Sequence, residues 1–373
     1  MNQFNKVIYI VKSQLSYYPP CMAQIQMLQD LGVDIEVWYG SSAETALDIL
    51  DRRGISRKQL VDPRGRFKGK LDTVNNWIEF RRVLERELKR SYQPNWLLWF
   101  GTAESSMPMV GHLGKYAFVT NALELYDEHP LEAKLLGAVS RDAKAMIACE
   151  RTRSYIMRYW WGLDRLPYVM PNKPYGLSIS SELPVTTEAT RAIVDELEGK
   201  PFIIYQGIFQ NVKYLEALAG ALKELDSNLY LVLLGIDNHN IAPHIAEIYS
   251  RTRYFSSVPA PTHLEITSRA RIGVVYYDDL ILNEAFCAPN KIYEYSAFGM
   301  PMLANKIPGL ESTVGAAGAA ICSDFTKDEL KQAIAEITDN YGKYSEASSR
   351  FFQSTDNVKT MTQIVCDLGI RRE

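Results

Sequence analysis

Short β-branched runs that give way to helical spacing, and then to another β-branched run, recur along this chain. That alternation restricts it to α/β architectures with parallel strands. Lys6 to Val11 (KVIYIV) is strand-like, Ser13 to Pro20 (SQLSYYPP) is a polar and aromatic loop, and Met22 to Leu31 carries apolar residues at helical spacing. Gly32 ends that helix, and Val33 to Tyr39 alternates like a second strand. Two strands joined through a helix run parallel, because only a long crossover accommodates the helix between them. Further strands are predicted at Trp96–Phe100, Ala117–Thr120 and Ala143–Ala148, the last followed by a helix over Arg151–Trp161.

The alternation restarts at Lys200. Strands are predicted at Pro201–Tyr205, at Leu229–Leu234 before Gly235, at Ile272–Tyr276 and at Pro301–Asn305, with helices over Val212–Leu225 and Asn290–Phe298. Between the two sets, Leu166–Leu183 holds Pro167, Pro171, Pro174 and Gly176 and has no helical period, as expected of a crossing between domains. At 373 residues the chain exceeds what one typical core organises. Two α/β domains of similar size in tandem are predicted, residues 1–172 and residues 173–355. A last helix, Thr360–Leu368 within residues 356–373, is expected to pack back on the first domain.

Five cysteines (Cys21, Cys149, Cys287, Cys322, Cys366) are scattered, odd in number and never spaced C-x-x-C. They support neither a zinc site nor a disulfide framework and fit a reducing cytoplasm. The apolar run Val7–Val11 is shorter than a signal peptide requires, and no stretch approaches the ~20 apolar residues of a membrane-spanning helix. The chain is therefore expected to be cytoplasmic, at most peripheral at the inner face of a membrane. Net charge is −3, yet residues 51–90 hold 13 Lys/Arg against 6 Asp/Glu, with Phe67 and Trp77 interleaved. Such a segment suits an anionic membrane surface or a diphosphate-linked acceptor, and equally a solvated helix face. Nucleic acid is not expected as a partner, since the whole chain is acidic and carries no recognition motif. No G-x-G-x-x-G follows a strand and Gly65–Lys70 lacks P-loop spacing, which argues against dinucleotide oxidoreductases and P-loop enzymes.

The sharpest motif is Ala288–Asn305, APNKIYEYSAFGMPMLAN. Pro289 and Asn290 read as a helix start, with Asn290 suited to cap free N–H groups. Helix N-termini carry unsatisfied donors and partial positive charge that suit phosphate, and Lys291 adds a full charge in the first turn. Glu294 and Tyr295 fall one turn on, on the same side as Asn290 and Lys291. A carboxylate there can accept two hydrogen bonds from ribose hydroxyls. The alternative is a buried helix whose Lys291 and Glu294 form a surface pair.

This stretch resembles the donor-site helix of GT-B glycosyltransferases related to the retaining family 4, which often reads P-N-K-hydrophobic-x-E-Y, then a small residue and G-x-P. The resemblance implies two Rossmann-like domains whose parallel sheets face across an interdomain cleft. It implies a nucleoside-diphosphate sugar as donor, no metal and no further cofactor, and Glu294 on the nucleotide ribose. Tyr205–Leu218 (YQGIFQNVKYLEAL) resembles the family's Gly followed six positions on by a base. Gly207 then lets the backbone approach the donor phosphates, and Lys213 stabilises the leaving diphosphate. Tyr254–Pro259 (YFSSVP) resembles the turn in which backbone groups of Ser257 and Val258 read the base edge. One position departs from the pattern: Phe286 stands where many relatives carry a first Glu, eight residues before the ribose Glu, and Glu284 is nearby but out of register. That Glu belongs to the sugar end of the site, so neither the sugar nor inversion or retention is legible.

In the first domain, Asn121–Pro130 (NALELYDEHP) is an acidic loop after a strand, loosely similar to the catalytic loop of these enzymes. Glu124, Asp127 and Glu128 are candidates for taking the acceptor proton. Glu124 and Asp127, three apart, fit one helix face, and a helix-capping cluster explains them as well. The acceptor, a glycan, a lipid-linked glycan, a protein or a small molecule, is expected to enter past Ser16, Tyr17 and Tyr18. Glu150–Pro174 resembles the family's joining segment, with Arg151 and Arg153 in reach of the cleft. Tyr159, Trp160 and Trp161 fit core better than a sugar or membrane contact. His112 and His129 lack metal-ligand spacing. Two other readings compete: a nucleotide-sugar epimerase or hydrolase of the same fold, and a non-catalytic subunit of a glycosyltransferase complex.

Overall fold

A computed structural model describes residues 3–60, 70–177 and 182–372. The chain divides into two compact units, Met1–Tyr175 with Asp356–Glu373, and Gly176–Thr355. Each is built on a wholly parallel sheet.

The first unit's strands are β1 (Lys6–Gln14), β2 (Ile35–Ser41), β3 (Ser56–Gln59), β4 (Trp96–Phe100), β5 (Phe118–Ala122), β6 (Ala145–Ala148) and β7 (Tyr168–Val169), in the order β3-β2-β1-β4-β5-β6-β7. β1 shows why the sheet lies in the interior. Val7, Tyr9 and Val11 pack into one core while Ile8 and Ile10 pack into another on the opposite face, all fully buried. A strand buried on both faces is continuously apolar rather than alternating, and each such side chain contributes about 1.5–3 kcal/mol. The helix Pro19–Asp30 covers the first face with Cys21, Ile25 and Leu28. The terminal helix Asn357–Asp367 adds Met361, Ile364 and Val365 to that same core, and Ile370 bridges to Phe4. β1 runs on past the predicted end at Val11, and a 3-10 turn, Leu15–Tyr17, follows where a loop is expected.

The second unit's strands are β8 (Phe202–Ile208), β9 (Tyr230–Ile236), β10 (Thr252–Ser256), β11 (Ile272–Val275), β12 (Met302–Asn305) and β13 (Ala320–Ser323), in the order β10-β9-β8-β11-β12-β13. In both sheets the chain winds outward to one edge and then returns beside its first strand. The reversal opens a crevice beyond the C-terminal ends of β1 and β4 in one unit, and of β8 and β11 in the other. Open α/β sheets bind ligands at such switch points. Among the described residues no helix is long and apolar enough to cross a membrane.

Candidate functional site

At the second unit's switch point, β8 and β9 run side by side to Gly207 and Gly235, which pair in register. A Cβ on Gly235 would lie 1.8 Å from the Gly207 carbonyl oxygen, so only glycine fits there. Gly207 itself has φ +132°, and a Cβ on it would meet Lys291 Nζ at 3.2 Å and Cε at 3.3 Å. The bare backbone of β8 thus lies directly beside a lysine head group.

Lys291 is held by aromatic faces. Its Nζ stands 4.7 Å from the Tyr205 ring centroid and 5.2 Å from that of Tyr277. Burial disfavours the ammonium charge, but Tyr205, Tyr277 and the Glu294 carboxylate outweigh it, keeping the lysine pKa above its ordinary value. Lys213 is exposed on the first turn of the helix Val212–Glu224, with Nζ 4.7 Å over the Tyr214 ring. Tyr214 lies 5.0 Å from Tyr276, which stacks on Tyr205 at 4.6 Å. Both lysines therefore stand on one connected tyrosine cluster.

The helix Asn290–Ala297 starts one residue earlier than a capping role for Asn290 requires. Pro289 is the N-cap and offers no acceptor, while Asn290 is already inside the first turn and does not cap. Its terminal N–H groups carry no side-chain cap. Glu294, 5% exposed, does not pair with Lys291 on the surface. Gln206 Nε2 donates to its Oε2, and His263 Nε2 lies 3.5 Å from its Oε1. The carboxylate only accepts, so it takes the NH2 end of the amide and leaves Gln206 Oε1 to accept from Thr267 Oγ1 at 2.7 Å. His263 Nδ1 is buried without a hydrogen-bond partner.

The remaining second-unit residues fall as follows. Tyr295 is a core residue: its ring fills the space above Gly273, its hydroxyl faces the Val274 carbonyl, and it presents nothing to solvent. That corrects its expected place in the donor site. Ser257, exposed, and Val258, half-buried, follow the end of β10. Phe286 is half-buried, and Glu284 accepts the Asp278 N–H at 3.1 Å, which ties it to the loop after β11. Asp278 also lines a 690 Å³ cavity with Gln210, Asn211 and His239.

In the first unit, the switch point is marked by an acid that the sequence reading did not select. Glu104 follows β4 in the run GTAESS, and Ser13 Oγ, from the end of β1, donates to its Oε2 at 2.8 Å. Burial and the Glu104 carboxylate push the Tyr18 hydroxyl up to about 12. Tyr126 is raised for the same two reasons, with Glu124 adding to them. Ser16 Oγ accepts the Ala43 N–H at 3.1 Å, and Tyr17 is 73% exposed.

Leu123–His129 is not helical, so Glu124 and Asp127 share no helix face. The following helix, Pro130–Asp142, has His129 as its N-cap with no side-chain cap bond. Glu124 is half-exposed and lies 3.5 Å from Arg153 Nη1, which also donates to the Leu123 carbonyl at 2.7 Å. Arg153 is buried, pinning this loop from beneath rather than reaching outward, whereas Arg151 is exposed. Trp161 is core, but Tyr159 and Trp160 are 82% and 45% exposed, contrary to expectation.

Part of the basic segment, residues 61–69 with Arg64, Arg66, Phe67 and Lys68, lies outside the described residues. Elsewhere in it Arg53 pairs with Asp30 at 2.8 Å, Arg57 with Asp51 at 2.7 Å, and Lys58 with Glu87. Three of its cations are thus held in local ion pairs. Among the described residues no three His, Cys, Asp or Glu side chains gather as a metal site.

Gln206, His263 and Tyr277, which contact Glu294 or Lys291, and Glu104, which accepts from Ser13, are candidates that the sequence did not single out. Gln206 carried a usable signal, a polar residue at the end of an apolar strand just before the site glycine. His263 carried none.

No protein-family model and no curated protein matches the chain. Solved structures do match. HepE of Anabaena in complex with UDP and glucose has a TM-score of 0.69 at 12% identity, covering 97% of this chain and 99% of that one. A glycosyltransferase from Rickettsia africae gives 0.66 at 15% identity, covering 98% of each chain. A putative UDP-N-acetylglucosamine 2-epimerase from Listeria monocytogenes gives 0.65 at 10% identity, covering 99% and 98%. At these identities the likeness is one of fold. It shows a GT-B protein with two parallel-sheet, Rossmann-like domains.

Proposed function

We propose that this protein is a metal-independent glycosyltransferase that moves a sugar from a nucleoside-diphosphate sugar to an acceptor hydroxyl in glycan, polysaccharide or glycoprotein synthesis. The observation that carries the proposal is Lys291, a desolvated cation beside the Gly207 backbone at a switch point, next to an uncapped helix N-terminus. Together these supply a full charge, N–H donors that the N-cap residue does not cap, and room for backbone approach, the features a diphosphate requires. Similarity to the P-N-K-x-x-E-Y helix of family 4 supports the same assignment. In this account Lys291 and the N-terminus at Asn290 bind the diphosphate and stabilise the charge that develops as the sugar leaves, with Lys213 adding to the field. Glu294 sits one turn beyond, where it would receive ribose hydroxyls through Oε1. Ser257 and Val258 would meet the base through their backbone.

The acceptor hydroxyl is assigned to the first unit, past Ser16, Tyr17 and Tyr18. Glu104 is the acid we place nearest the reaction, ahead of Glu124 and Asp127. It is half-buried at the switch point and oriented by Ser13, whereas Glu124 is drawn toward Arg153. Its task is to take the acceptor proton.

A second reading is kept because an epimerase shares the fold and because Phe286 leaves the sugar end unassigned. It is a nucleotide-sugar epimerase or hydrolase, acting without an acceptor. Two measurements decide. Nucleoside diphosphates, UDP first, are screened by thermal shift, since a ligand of the folded state raises its stability. A chain stabilised by none of them is not a nucleotide-sugar enzyme. UDP-sugars are then incubated without acceptor: an epimerised or hydrolysed sugar formed at the full rate removes the transferase reading.

A further inference from the structure

The outer surface of two helices in the first unit has a composition that neither the donor site nor the acceptor side explains. The helix Arg151–Trp161 buries Arg153, Ser154, Met157 and Trp161. Its opposite face carries Arg151, Tyr155, Arg158 and Tyr159 at helical spacing, with Trp160 beside them, all exposed. It displays no free acid, because its N-cap Glu150 is turned inward to accept the Arg153 N–H at 2.8 Å. Gly162, in the left-handed conformation, stops the helix just after the aromatic run.

The neighbouring helix Pro130–Asp142 shares the same core, through Leu136 beside Met157 and Trp161. The two are locked at their ends. The Trp161 ring occupies the space where a Cβ on Gly137 would stand, and Arg141 Nη1 donates to the Trp161 carbonyl at 3.1 Å. This second helix exposes Leu131, Lys134 and Arg141. Arg141 then lines a 590 Å³ cavity together with Lys144 and Arg165. From Leu131 to Arg165 six basic residues are exposed against two acidic ones, Asp142 and Asp164. A Tyr at 82% and a Trp at 45% exposure stand among those cations.

We infer that this face rests on an anionic lipid bilayer. Trp and Tyr place an apolar ring at head-group depth with a polar edge in water. Arg and Lys meet lipid phosphates while their stems cover apolar surface. A protein partner of ordinary charge would leave the excess cations unpaired, whereas an anionic leaflet offers a phosphate to each cation that faces it. The basic segment 51–90 is the less suitable surface, because several of its cations are already paired. This inference does not depend on the glycosyltransferase reading.

The test is sedimentation of the full chain with vesicles of phosphatidylcholine alone, and with phosphatidylglycerol added, at low and high salt. Binding is expected to the anionic vesicles only and to weaken with salt. Each basic residue at such a surface contributes about fivefold, so Arg158→Gln with Arg165→Gln weakens binding about 25-fold. Tyr159→Ser with Trp160→Ser is expected to lose binding as well, and Trp160→Phe to lose quenching by brominated acyl chains. Circular dichroism and UDP affinity of each variant separate misfolding from a surface effect, and the two double variants are independent of each other. Three results overturn the inference: no sedimentation with anionic vesicles at low salt, binding that survives both double variants but is lost in Lys89→Gln with Arg90→Gln, or variants that instead dissociate a dimer.

Discussion

Replacing Gly207 with alanine tests whether the strand end and Lys291 are built around a missing side chain. At φ +132° the residue occupies backbone that L side chains rarely adopt, and holding one there costs about 1–3 kcal/mol. The added Cβ would stand 3.2 Å from Lys291 Nζ and 3.3 Å from its Cε, tighter than ordinary contact, so the lysine head must give way. A unit of this size loses about 2–4 °C in Tm per kcal/mol, which puts the expected drop at about 2–12 °C. Displacing the ammonium also forfeits part of a charge-assisted bond worth about 1.5–3 kcal/mol, so UDP affinity is expected to fall roughly three- to tenfold. Circular dichroism melting and calorimetric titration read the two effects. The sign of the first is decisive, because Gly→Ala in compatible backbone stabilises by about 0.4–1 kcal/mol. An alanine variant as stable as wild type refutes the strained-glycine argument. Adding Lys291→Ala isolates the steric part: the double variant loses less than the sum of the two single losses if the side chains collide, and strict additivity removes the collision.

Lys291→Met keeps the stem over Tyr205 and Tyr277 and deletes the charge. UDP affinity is expected to drop about 10- to 100-fold while Tm moves by no more than about 4 °C, and an unchanged dissociation constant would dismiss the lysine as a diphosphate ligand. Glu104→Gln is expected to cut transfer about 100-fold or more with UDP affinity intact; full turnover in this variant returns the catalytic role to Glu124 or Asp127. The Tyr18 hydroxyl, pushed up to about 12 by burial and Glu104, is expected to ionise well above free tyrosine in the difference absorbance between wild type and Tyr18→Phe. Because the folded state favours its neutral form, its contribution to stability is complete below about pH 10 and is lost as pH rises toward 12. Glu104→Gln lowers that titration only in part, since burial is the larger cause, and no movement at all would separate Tyr18 from Glu104.

The parallel α/β fold was legible because it depends on one-dimensional patterns. Trp96–Phe100 and Arg151–Trp161 have the observed bounds of β4 and of the helix that follows β6. Both are delimited by residues that act locally, such as the left-handed Gly162 after Trp161. Ends set by tertiary contact were not legible. β1 continues to Gln14 because its far end pairs with Ser41 and docks on the GTAESS turn through Lys12 and Ser13. Nothing in KSQ announces that partner. Tyr159 and Trp160 show the converse error: aromatic residues beside a buried Trp161 look like core by composition, and only the helix's orientation on the sheet decides which ring faces in.

The candidate site divides along the same line. Lys291, Glu294 and Gly207 are proposed from a helix start, a one-turn spacing and a glycine after a strand, and the structure does set Lys291 beside Gly207. What could not be read was how those residues are set. Glu294 is 5% exposed, and a carboxylate that deep is stable only if hydrogen-bonded. Its partners, Gln206 and His263, are remote in sequence from it and from each other. Gln206 in turn accepts from Thr267. The switch-point geometry brings together the end of β8, the Asn290–Ala297 helix and the His263–Thr267 turn, so the carboxylate's environment belongs to the topology rather than to the motif. The same holds for Glu104, which became a candidate only when strand order put β4 beside β1 and its carboxylate within reach of Ser13. A motif names the groups proposed to meet the diphosphate; within each unit, strand order determines which side chains surround each candidate acid.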